Sequence, residues 1–122
     1  MVTFRELLPT LFKHDFTREV IDRVVNKKTI GNYLLGSDQG GEFVVSYVGR
    51  SDTDLNVELI QRLSPRYRKF RFTYARSVRT AFETECRDYH RYGKAHQLDN
   101  QKHPDRPDGT SYQCPFCDYL NR

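Results

Sequence analysis

The sequence predicts an α+β fold: a small three-stranded antiparallel sheet flanked by helices, followed by a cysteine-containing tail. Three observations carry this. Apolar residues recur at three- and four-residue spacing in three separate stretches, which marks amphipathic helices. Between them lie three short β-prone runs, two of them joined by a glycine-rich turn. Beyond Gly93 the periodicity stops and Pro104, Pro107 and Gly109 punctuate a polar segment.

Residues 1–28 are expected to be helical. Phe4, Leu7, Leu8, Leu11 and Phe12 form one apolar stripe that Pro9 interrupts, and Val20, Ile21, Val24 and Val25 form a second that Asp15 could cap. Gly31–Leu35 and Phe43–Val48 are expected strands around a turn at residues 36–41, hence a β-hairpin. After a loop over residues 49–54, with Asp52 or Asp54 as cap, Leu55, Leu59, Ile60 and Leu63 predict a helix that ends before Pro65. Tyr67–Tyr74 is the third strand, with Phe70, Phe72 and Tyr74 on one face and Arg71 and Thr73 on the other. Ser77 opens a long helix to about Tyr92, carrying Ala81, Phe82, Glu85 and Tyr89, and Gly93 closes it.

The 122 residues fit one compact domain with one modest core. All aromatic residues are Tyr or Phe, so rings rather than long aliphatic runs should fill that core. Net charge is +4, a mild excess that permits nucleic-acid binding. Its distribution says more. Arg62, Arg66, Arg68, Lys69, Arg71, Arg76 and Arg79 put seven positive charges into eighteen residues that contain no acid. Arg66, Arg68, Lys69 and Arg71 are the candidate nucleic-acid contacts. No apolar run approaches the roughly 18 residues of a membrane span, and the N-terminal residues lack a signal-peptide core, so a cytoplasmic location is expected. Three cysteines in a reducing compartment argue against a disulfide framework.

Two short signatures sit on the first hairpin: Gly31-Asn32-Tyr33 and, with thirteen residues between them, Tyr47-Val48-Gly49. Downstream, Glu85 lies on the long helix and Asn100 follows it by fifteen residues. This order resembles the GIY-YIG nucleases, over roughly residues 30–100. Asn32 replaces the usual apolar middle residue, and the spacing between half-motifs is a few residues longer than typical. The resemblance implies a metal-dependent endonuclease that hydrolyses DNA phosphodiester bonds, with Glu85 holding Mg²⁺ or Mn²⁺ and Asn100 stabilising the site. It implies that Tyr33, near Tyr47, helps to deprotonate the attacking water. A tyrosine with an ordinary pKa of about 10 needs a nearby cation for that task. Arg50 or Arg62 would hold the phosphate through a bidentate fork. The family's arginine on the helix after the second half-motif is replaced here by Glu58, a charge reversal. That replacement keeps open a second reading, a catalytically weak nucleic-acid-binding module with the same fold. A third, an interaction domain without a nucleic-acid role, is opposed by the basic stretch. On this resemblance the chain divides into an N-terminal helical extension (1–28), the nuclease-like domain (29–100) and a tail (101–122). The DNA preference stays open, as does whether a partner domain or a homodimer completes the protein.

Cys114 and Cys117 form a Cys-x-x-Cys knuckle of the kind found in zinc sites. Cys86 and His90, four apart on one helix, offer the complementary half. The expected structural Zn²⁺ ligands are therefore Cys86, His90, Cys114 and Cys117, with His96 or His103 as alternatives to His90. Glu85 lies about 140° from His90 around the helix, from about 100° per residue, so zinc and catalytic faces can share it. The tail is too polar to dock by burial alone, its apolar anchors being Tyr112, Phe116, Tyr119 and Leu120.

Overall fold

In the computed structural model, which describes residues 3–118, the chain begins with α1 (Phe4–Leu7) and a 3-10 turn (Pro9–Leu11). Then follow β1 (His14–Asp15), α2 (Arg18–Val24), β2 (Gly31–Gln39), β3 (Glu42–Ser51) and α3 (Leu55–Gln61). Next come β4 (Lys69–Tyr74), α4 (Val78–Arg91) and α5 (Lys94–Gln97). The class is α+β, with an antiparallel sheet of four strands in the order β1-β4-β2-β3. Tyr119 and Leu120, two of the expected tail anchors, lie outside the described residues.

The fourth strand corrects the expectation of three. It arises inside the stretch expected to be helical throughout, where His14 pairs with Phe70 and Asp15 with Lys69. Pro9 breaks the helix, and a two-residue strand is too short to show any alternation. Asp15 is accordingly a strand residue held by Lys69 at 2.6 Å, and Thr17 caps α2 instead, accepting from the Val20 N–H at 3.2 Å. Asp54 caps α3 by accepting from the Val57 N–H, and Ser77 caps α4 by accepting from the Thr80 N–H. Each satisfies a helix-end donor that would otherwise lack a partner.

The hairpin is longer than its composition suggests. Ser37, Asp38 and Gln39 pair with Val44, Phe43 and Glu42, and an irregularity between Leu35 and Gly36 absorbs the extra residue. The turn shrinks to Gly40 and Gly41, both at positive φ (61° and 84°). Two consecutive residues of that hand match the right-handed strand twist, and glycine adopts them without steric penalty.

Helices cover both faces of the sheet, so the interior strand β2 is buried on both sides along Gly31–Tyr33. One face carries the larger core, where Ile21, Val24 and Val25 of the α2 region and Leu55 and Leu59 of α3 pack on Tyr33, Leu35, Phe70 and Phe72. Fully burying each such ring contributes roughly 1.5–3 kcal/mol. The other face meets α4, with Val48 against Tyr89 and Leu98. Asn32, the polar departure in the first half-motif, is buried and donates to the Ala81 carbonyl at 2.8 Å, tying β2 to α4. Among the described residues no helix is long and apolar enough to cross a membrane.

Candidate active site and metal centre

β3 is an edge strand, and the site forms around its open edge. Tyr47, Arg50, Asp52, Arg62, Glu85 and residues 99–105 line an open cleft of about 510 Å³. Residues from β3, the end of α3, α4 and the segment after α5 thus meet in one place. Asn100 holds the edge. Its Oδ1 accepts from the Val48 N–H at 3.0 Å and its Nδ2 donates to the Val48 carbonyl at 2.8 Å. Those two groups would otherwise be unpaired edge groups, so the side chain acts as a missing strand.

Glu85 forms part of the cleft's buried lining. Its Oε1 accepts from Arg50 Nη1, and the Arg50 Nε and Nη2 donate to the two Asp52 oxygens at 2.8 and 3.2 Å. Burial pushes the Glu85 carboxyl up to about 7, against the pull of Arg50. Asp52 and Glu58 are close enough to push it the same way. Burial alone would lower the Arg50 pKa, but Asp52 and Glu85 raise it. The whole Arg50 fork is thus spent on two carboxylates, and its guanidinium also lies 5.3 Å from the centre of the Phe82 ring. Arg50 orients Glu85. It is not placed as an open phosphate clamp.

Tyr33 and Tyr47 stack with ring centres 6.3 Å apart. Gly49 makes room for this: a Cβ there would lie 2.3 Å from the Tyr33 hydroxyl. Their environments differ. Tyr33 is buried and donates to Glu58 Oε2 at 2.7 Å. Burial and the neighbouring carboxylate hold its hydroxyl far above the ordinary range, so its proton stays on. Tyr47 is partly exposed in the cleft. Its burial also raises the pKa, but the Arg62 guanidinium opposes that from 5.5 Å over the ring. Glu58, at the position of the expected arginine, accepts from both Tyr33 and Arg62, the latter at 3.0 Å. Arg62 itself stays half exposed beside the cleft.

The four basic candidates do not share one surface. Arg66 faces Asp99 at 2.9 Å and Lys69 faces Asp15. Arg71 points to the opposite side of the sheet from Phe70 and Phe72, lining a 190 Å³ groove with Arg87, Asp88 and Arg91 of α4. Arg68 is exposed.

In the tail, one ligand atom from each of His90, His103, Cys114 and Cys117 lies within 4.8 Å of the others. Cys114 Sγ is 3.4 Å from His90 Nε2, and Cys117 Sγ is 3.4 Å from His103 Nε2. A tetrahedron with Zn–S of about 2.3 Å and Zn–N of about 2.0–2.1 Å requires S···N separations of about 3.5 Å. The group could therefore hold a metal such as zinc. His103 Nδ1 faces the Pro104 carbonyl at 2.9 Å, which leaves Nε2 for the cluster, the usual second contact of a ligating histidine. Burial lowers the His90 pKa, with help from His103, and so favours the neutral imidazole that metals bind.

This corrects the expected ligand set. Cys86 is outside the cluster, fully buried against Phe82 and Cys114, where burial pushes its thiol well up. Cys86 lies about one turn, or roughly 6 Å along the helix, from His90, and it meets the tail at Cys114 rather than within the four-residue group. His103 takes its place, alongside His90 rather than instead of it, and His96 is exposed on α5. Sequence reasoning also missed Asp52, Asp99 and Lys102. Asp52 had a signal, since residues i and i+2 of an extended chain share a side with Arg50. The other two had none, because only the tertiary path of residues 99–105 brings them to the cleft.

No family model matches the chain, and neither does any curated protein or solved structure.

Proposed function

We propose that the protein is a metal-dependent endonuclease of the GIY-YIG type, hydrolysing DNA phosphodiester bonds in the cleft at the edge of β3. The observation that carries this is the convergence of Tyr47, Arg62, Glu85 and Asn100, from four separate parts of the chain, on one open cleft. The donor set fits a hard divalent cation. Glu85 supplies a carboxylate oxygen of the kind such an ion takes, and a cation beside it would favour the ionised form that burial disfavours.

When bound, Mg²⁺ or Mn²⁺ polarises the scissile phosphate and stabilises the leaving oxygen. Glu85 holds that ion, and Arg50, clamped by Asp52, fixes the carboxylate's position. Arg62 reaches the phosphate from the end of α3; its half-exposed guanidinium beside the cleft supports it over the clamped Arg50. Tyr47, once its own proton has passed to solvent, takes the proton of the attacking water at its Oη; burial opposes that phenolate and the Arg62 charge favours it. Tyr33, whose proton is committed to Glu58, supports Tyr47 by stacking and fixes Glu58. Asn100 keeps the β3 edge in register. Zn²⁺ on His90, His103, Cys114 and Cys117 has a structural role.

One observation favours the runner-up, a nucleic-acid-binding module with weak catalysis. Glu58 and its bond to Tyr33 put negative charge where the resemblance calls for an arginine. Incubating supercoiled plasmid with the purified chain separates the two. Nicking that needs Mg²⁺ or Mn²⁺ and stops with chelator supports the nuclease. Salt-dependent binding without nicking supports the module.

A further inference from the structure

We infer that residues 99–105 form a phosphate-binding strap, that Lys102 is its contact to the DNA backbone, and that the His90–His103–Cys114–Cys117 metal holds it in place. This rests on the proposed DNA-cleaving role of the cleft.

The strap is anchored at two points with only two residues between them. At the first, the Asp99 N–H donates to the Ser46 carbonyl at 2.7 Å, and Asn100 grips Val48. The Asp99 carboxylate accepts from Arg66 at 2.9 Å and from the Tyr67 hydroxyl at 2.8 Å. The second anchor is His103, buried and part of the metal cluster. Pro104 and Pro107 follow, each with a fixed φ, and stiffen the exit. Only Gln101 and Lys102 lie between the anchors, and both are exposed at the cleft. Three residue steps from Asn100 to His103 span at most about 11 Å, so fixing both ends confines Lys102.

The charges around the cleft show why Lys102 matters. Arg50 is consumed by Asp52 and Glu85, and Arg66, paired with Asp99, does not line the cleft. Arg62 stands on the α3 side, half exposed with its Nε on Glu58, and Lys102 on the strap. The Lys102 ammonium reaches Asp105 at 3.1 Å, but both side chains are about three-quarters exposed. Such a pair is weak and exchanges readily for a phosphate. A backbone strand lying in the cleft therefore meets one cation from each wall. Losing the metal releases the His103 anchor, and Lys102 is then no longer held over the cleft. By linkage, DNA must strengthen metal binding by the factor that metal strengthens DNA binding.

The test is a titration of a short fluorescein-labelled DNA duplex with the full chain by anisotropy, at several potassium chloride concentrations and without added Mg²⁺ or Mn²⁺. Zinc content and circular dichroism are measured on each protein. Lys102→Ala is expected to keep its zinc and its fold, and to lower the slope of log K against log salt by about 0.9, one phosphate contact. His103→Ala is expected to lose zinc and to lose the same 0.9, although Lys102 itself is unchanged. His90→Ala repeats that result from the far side of the cluster and guards against a local effect at His103. A Lys102→Ala slope equal to wild type overturns the inference while leaving the nuclease reading standing. So does a zinc-free His103→Ala or His90→Ala that retains the wild-type slope. Wild-type protein that binds no duplex overturns both.

Discussion

Around Glu85 each polar side chain is gripped by another part of the folded chain, whereas around Cys114 the side chains meet one another tip to tip. Arg50, Asp52 and Glu85 interlock, and Tyr33, Glu58 and Arg62 form a second chain of bonds beside them. The tail has no helix or strand over residues 98–118, and its buried apolar contribution is small. The first region is built by the core and then binds. The second could hold a metal, and on the proposed function that metal helps to build it. Ordering each tail residue costs about 1–2 kcal/mol, and zinc at apparent values of about 10–16 kcal/mol in finger peptides offsets much of that.

The largest effect expected from this contrast is therefore on metal removal. Chelation, or Cys114→Ser, should lower the melting temperature by about 10 °C or more, at the few degrees per kcal/mol usual for domains of this size. Hydrogen exchange should show protection lost across residues 101–118 and kept in β2 and β4. Loss spread evenly over the sheet would remove the distinction between the regions.

The cleft should respond differently. Glu85→Ala leaves Arg50 facing an empty site, with only Asp52 as partner, and should cost about 3 kcal/mol. Glu85→Gln keeps an acceptor for Arg50 and should cost much less. The pH dependence gives the same residue a second signature. In the folded chain its pKa lies near 7, above the ordinary 4.5. Between these values the folded state holds a proton that the unfolded state has released. Stability should thus fall as pH rises through this window, by up to about 1.4 kcal/mol per pH unit from this group. Asp88, also raised by burial, acts with the same sign, so the contrast with Glu85→Gln isolates the contribution. Urea titrations of both proteins at pH 4.5, 5.5 and 7.0 measure it. Identical pH slopes would place the Glu85 carboxylate in water rather than in the cleft lining.

The two tyrosines give a smaller split. Tyr33→Phe removes a buried hydrogen bond to a carboxylate and should destabilise by about 1.5–3 kcal/mol. Tyr47→Phe should change stability less and slow cleavage more. The reverse order in paired denaturation and cleavage measurements would return water activation to Tyr33.

What could be seen in the sequence follows the same division. The α+β class, the hairpin and the face of β4 were legible because they rest on periodicity, and periodicity is local. The turn was overestimated because Ser37, Asp38 and Gln39 are turn formers by composition, and only the irregularity at Gly36 reveals that they pair. β1 was invisible because two residues carry no period. Helix-face geometry found His90 but chose Cys86 over His103. The place of His103 in the candidate cluster is set by how the tail folds back, which no spacing rule encodes. The clamping of Arg50 was likewise hidden, since the approach of Glu85 to Arg50 is a contact across 35 residues.

On the proposed function the cleft and the tail hold different metals for different ends. The most direct measurement is Mg²⁺-dependent nicking of supercoiled plasmid by Glu85→Gln protein whose zinc content is determined on the same sample. The account predicts wild-type nicking in Mg²⁺, at least about a hundredfold slower nicking by the variant, and one equivalent of zinc in both. Nicking by the variant at the wild-type rate, or loss of its zinc together with its activity, would contradict it.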